Sequence, residues 1–73
     1  MTNTLEHYVS MDSPQLTAVR ALERARVSAG VVDALEAARA CRAVCEASRG
    51  HARARGWERL SHRWAALALQ RAS

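Results

Sequence analysis

Apolar and polar positions follow the most regular pattern near the C-terminus, where Trp57, Leu60, Trp64 and Leu67 succeed one another at steps of three, four and three residues. On a helix turning about 100° per residue these four side chains fall within about 80° of one another. Arg55, Arg59, His62 and Arg63 gather within about 100° on the other side. The spacing predicts a packed helix with Trp57, Leu60, Trp64 and Leu67 as its seam, the residues expected to carry self-association. Arg71 holds the next place in that series and predicts a frayed or exposed end. Gly56 interrupts the period, so His51 to Arg55 read as either a loop or a first turn.

Upstream the period continues. Val31, Leu35, Ala38, Cys41, Cys45 and Ser48 share one side of a predicted helix over 31–49, with Asp33, Glu36, Arg39 and Glu46 mostly turned away. Gly50 fits a C-terminal cap, and Gly30 predicts a break before this helix. A first helix starts at Asp12-Ser13-Pro14. There a Ser13 or Asp12 oxygen accepts from orphan amides, and the missing N–H of Pro14 costs nothing. Its apolar arc is Leu16, Val19 and Leu22, with Ala18, Ala21, Ala25 and Ala29 alongside. Residues 1–11 fit one helical turn through Leu5, Tyr8 and Val9, or an alternating strand; with no strand elsewhere to pair, they read as a helical turn or a loose arm. The expected organisation is an arm over 1–13 and one helical domain over 14–73. The expected fold is all-α, a helical hairpin or small three-helix unit that dimerises into a bundle.

Composition sharpens the dimer expectation. A folded chain of 73 residues buries only about 60% of the surface its unfolded form exposes. Sixteen of the apolar residues are alanine and neither Ile nor Phe occurs. Alanine favours helix but removes little area from water, so helices are promised more firmly than a self-sufficient core. Self-association is a usual remedy.

All eleven basic residues are arginine, the net charge is +4 and the sequence pI is about 10.5. A GC-rich coding bias produces such a composition with no functional meaning. Arginine is also the side chain that forks onto carboxylates and phosphates, so an acidic protein surface or a nucleic acid is the electrostatically favoured partner. Residues 1–11 show no secretory pattern. The longest apolar run, Trp64 to Leu69, covers six residues, far short of a membrane span. A cytoplasmic protein without membrane contact is expected.

The separation of rings from arginines bears on the kind of partner. A single-strand binder that stacks bases needs aromatic rings in its positive groove, and here they lie on opposite sides of the helix. An acidic protein surface meeting Arg53, Arg55, Arg59 and Arg63 is the leading expectation. Nucleic-acid binding, with Arg49, Arg53, Arg55, Arg59 and Arg63 on phosphates, is the alternative. A helix-turn-helix reading fails on the acidic residues Asp33, Glu36 and Glu46 of the would-be recognition helix.

Cys41 and Cys45 stand at i and i+4, so their Cβ atoms lie about 5 to 6 Å apart, too far for a disulfide. Both read as small buried hydrophobes. The Cys-x3-Cys spacing is similar to that in four-helix-bundle copper-storage proteins, over these two residues and without that family's further cysteines. That likeness implies a third possibility, a Cu(I) or Zn(II) site with two thiolates from each half of a dimer. No zinc-finger spacing, Gly-rich phosphate loop, nucleophile elbow or paired carboxylates are present. The sequence therefore reads as a non-enzymatic helical adaptor, inhibitor or regulator that needs no cofactor.

Overall fold

The computed structural model describes residues 13–73, in which three helices follow in chain order: α1 (Ser13–Val27), α2 (Val31–Ala47) and α3 (Arg53–Ala72). The all-α three-helix expectation holds, and the described residues contain no strand. The arm expected over 1–13 lies outside them apart from Ser13, the first residue of α1. The cap expected from Asp12 or the Ser13 side chain lies outside them too.

Local chemistry sets the two breaks. At the end of α1 the Ser28 N–H donates to the Arg24 carbonyl at 3.0 Å. The Ser28 hydroxyl oxygen then accepts from the Gly30 N–H, also at 3.0 Å, drawing that amide away from helical pairing. Gly30 itself is extended, at φ −74° and ψ 147°, a conformation open to any residue. The expected break is present, and the serine and the glycine make it together, since a Cβ at Gly30 would come within 3.2 Å of the Ser28 hydroxyl oxygen. The second break needs its glycine for its backbone: Gly50 has φ +93°, in the left-handed region that penalises a Cβ. This is the expected cap position. The Ser48 N–H closes α2 on the Val44 carbonyl at 2.9 Å, and the His51 N–H donates to the Ser48 carbonyl at 2.9 Å.

α2 is the central helix. α1 and α3 each pack against it, and their backbones do not approach one another. The core consists largely of alanine: Ala18, Ala21 and Ala25 of α1, Ala34, Ala37 and Ala38 of α2, and Ala68 of α3 are all buried. Leu22, Cys41, Val44 and Trp64 complete it. Helices that meet through residues with no side chain beyond Cβ can approach closely, so stability rests on tight apposition more than on large apolar groups. An exposed ion pair, Arg24 to Glu36 at 3.7 Å, also joins α1 to α2.

Three expectations need correction. On α2 the buried face is Ala34, Ala37, Ala38, Cys41 and Val44, rotated from the expected one; Leu35 is 40% exposed, while Cys45 and Ser48 are half-buried. The small residues win this face because two neighbouring helices close on it. On α3, Gly56 does not interrupt anything: the helix starts at Arg53 and runs through it. On α1, Val19 is 43% exposed, because α3 does not cover that side.

Candidate partner-binding surface

α3 carries the candidate residues, and its orientation is fixed by what it buries. Ser61, Trp64 and Ala68 are buried, while Trp57, Leu60 and Leu67 are half-buried against the core cluster. The expected seam thus packs largely within its own chain, and only Leu60, Leu67 and Trp57 retain much surface. The opposite side of the helix is left to solvent.

Arg53, Arg55, Arg59 and Arg63 are all exposed, and none forms an ion pair among the described residues. Arg55, Arg59 and Arg63 follow at i, i+4 and i+8 and so form one row. Like charges at this spacing destabilise a helix by about 0.2–0.5 kcal/mol per pair. Arg49, the fifth member of the phosphate-binding alternative, is engaged by the Glu46 carboxylate at 2.7 Å; the pair is exposed and worth little in itself.

Arg71 is the residue that sequence reasoning misplaced. It is not a frayed end. Its Nη1 donates to the Gly30 carbonyl at 3.1 Å and its Nη2 to the Ala25 carbonyl at 3.4 Å, while the guanidinium lies 5.6 Å from the centre of the Trp64 ring. Ala25 is in the last turn of α1, where carbonyls lack intrahelical partners and the helix dipole is negative. One side chain therefore ties the end of α3 to the end of α1. The signal was its place in the seam series, which puts a long stem over Trp64.

Two clefts flank α3. An open groove of about 380 Å³ is lined by Arg26 of α1 and by Leu60, Arg63, Trp64, Leu67 and Arg71 of α3. The α2–α3 side holds a smaller cleft of about 180 Å³, lined by Arg42, Cys45, Glu46, Glu58, Ser61 and His62. The cysteines are both free, Cys41 buried and Cys45 half-buried on that cleft. Burial pushes the Cys41 thiol above its usual range, because the apolar surroundings disfavour the thiolate. Among the described residues no three or more His, Cys, Asp or Glu side chains converge as metal ligands would, and no helix is long and apolar enough to cross a membrane.

These features define a small three-helix unit whose third helix carries an exposed arginine row beside a groove lined by both apolar and arginine side chains. No family model, no curated protein and no solved structure matches the chain.

Proposed function

We propose that this chain is a small non-enzymatic binding module, an adaptor, inhibitor or regulator, whose arginine face on α3 engages an acidic surface of a partner protein. Arg53, Arg55, Arg59 and Arg63 carry the contact. The supporting observation is that all four are exposed and without an ion pair among the described residues, although aligned like charges cost the isolated helix stability. A partner's carboxylates reverse the sign of that term. Protein is favoured over nucleic acid because the groove next to the row pairs the apolar side chains of Leu60 and Leu67 with arginines, and the Trp64 ring is buried and so not offered for base stacking. Two free thiols suit the reducing cytoplasm, where this reading places the protein.

A titration of labelled polyglutamate and of a labelled DNA duplex, followed by anisotropy at two salt concentrations, tests the reading. Preferential binding of the polyanionic peptide, lost in the triple variant Arg55→Ala, Arg59→Ala, Arg63→Ala, is expected. Tighter binding of the duplex with a steep fall in log K against log[salt] would reverse the ranking in favour of nucleic acid.

Self-association is a second reading. It is supported by the apolar side chains that one chain leaves uncovered, Val27 at 89%, Leu69 at 74% and Val32 at 65% exposed. Light scattering on the eluting protein at low and high salt, with the 260/280 absorbance ratio, tests it. A salt-independent dimer free of nucleic acid supports an apolar contact between copies; a monomer at micromolar concentration removes it.

A further inference from the structure

We infer that the groove between α1 and α3 is a receptor for the apolar face of an acidic amphipathic helix belonging to the partner. This inference rests on the acidic-partner reading above and adds where and in what form the partner binds. The groove exists because α1 and α3 pack on α2 and not on each other. Arg71 then bridges the two helices at one end of it.

The lining has two chemical parts. Leu60 and Leu67, both half-buried, stand at i and i+7 on α3, about 10 Å apart along the helix, and between them the buried Trp64 ring forms the floor of the groove beneath the Arg71 guanidinium. That separation is the length over which a docked helix presents its own i, i+3 or i+4, and i+7 anchors. Arg63 of α3 and Arg26 of α1 line the same groove, both exposed and neither in an ion pair among the described residues. Arg59 follows one turn before Arg63. An occupant must therefore be apolar along one stripe and acidic along its flanks, which is the chemistry of an amphipathic helix rich in Glu or Asp. A second copy of this chain meets the wrong charge, since it would bring Arg63 toward Arg63 and Arg26. Arg71 is not available to a ligand, being committed to the Ala25 and Gly30 carbonyls.

The test uses the full chain and three probes of equal length, the first two of equal charge and the third of opposite sign. The first is a designed helical peptide with Leu at i, i+4 and i+7 and Glu on both flanks. The second has the same residues scrambled so that no stripe forms, and the third replaces Glu by Lys. Anisotropy of the labelled peptide is read together with tryptophan emission of the protein. The patterned peptide is expected to bind about tenfold more tightly than the scrambled one, with an emission shift only for the former. The double variant Arg26→Glu, Arg63→Glu should weaken the patterned Glu peptide about tenfold and gain affinity for the Lys peptide. A far-UV circular dichroism spectrum matching the parent shows that the variant is folded.

Equal binding of patterned and scrambled peptides would overturn the groove while leaving the arginine face standing. Binding of neither overturns both. A rise in affinity for the patterned peptide on deleting residues 2–12, which contain Leu5, Glu6, Tyr8 and Val9, would also overturn the inference, by making the chain's own segment the occupant.

Discussion

Replacing Arg71 by alanine is the most informative single change, because three separate interactions end on one side chain. The bond to the Gly30 carbonyl at 3.1 Å is well formed but exposed, so water replaces part of it, and about 0.5–1 kcal/mol is lost. The bond to the Ala25 carbonyl is longer, 3.4 Å, and partly buried; its loss costs about 0.5 kcal/mol and leaves a helix-end carbonyl poorly solvated. The guanidinium over Trp64 adds about 0.5–1 kcal/mol. Together the loss is about 2 kcal/mol. A core of this size rarely supplies more than about 3–5 kcal/mol in total, so the variant should sit near the edge of folding. At about 4–8 °C per kcal/mol for a small domain, the melting temperature falls by about 8–16 °C.

Far-UV circular dichroism melts, with urea titrations in parallel, measure that shift. Two companions separate the contributions. Arg71→Lys keeps a charge but lacks the planar fork that reaches both carbonyls, and it should recover less than half of the loss. Arg71→Met keeps the stem across Trp64 without charge and should recover the packing part alone. If Arg71→Ala melts within about 2 °C of the parent, the tie between α3 and α1 contributes nothing in solution and the reasoning fails.

Glycine substitutions in α3 and in the turn before it should act in opposite directions. Gly56→Ala, in a helix interior where an added Cβ meets nothing within 4 Å, should raise stability by about 0.5–1 kcal/mol in urea. Gly50→Ala, at φ +93°, should lower it by about 1 kcal/mol. Ala37→Leu forces a large side chain onto a fully buried face of α2 and should cost about 1–3 kcal/mol or more, whereas Ala43→Leu on the exposed side should change stability by less than about 0.5 kcal/mol. Ellman's reagent should modify Cys45 at least about tenfold faster than Cys41, which reacts only when the helices separate. Because the folded Cys41 thiol titrates above its unfolded value, its contribution is complete below the unfolded pKa. It is lost as the pH rises through the folded one. Urea midpoints should therefore decline more steeply above about pH 9 in the parent than in Cys41→Ala.

The seam on α3 was legible because Trp and Leu contrast sharply with Arg and Glu around the helix. The face of α2 was not. Alanine differs little from its surroundings in hydropathy, and sixteen of them are spread over the chain. Which alanines become buried depends on where neighbouring helices approach, and small size favours that approach. Leu35, larger and more apolar, stays 40% exposed because it lies beside that contact. The turns were legible to different depths. Gly50 announced a left-handed residue, whereas the break at Gly30 came also from a serine hydroxyl that gave no distinctive signal. The arginine row was plain from its i, i+4 spacing. The groove beside it was not, since Arg26 and Arg63 are 37 residues apart in number, by subtraction of their positions, and meet only through the arrangement of α1 and α3 on α2.

That arrangement also bears on how the chain folds. Each helix packs on its neighbour in sequence, so nearly all pairing closes short loops, and a low contact order places folding in the microsecond-to-millisecond range. The α1–α2 and α2–α3 pairs can nucleate in either order. Among the hydrogen bonds of the described residues, those of Arg71 alone join α3 to α1, across 41 and 46 residues, and they can form only after both pairs are in place. Loss of that side chain should therefore leave the refolding limb of a chevron nearly unchanged and steepen escape from the native state. In kinetic terms the last turn of α3 is a latch, set after the three helices have packed and deciding how long they stay closed.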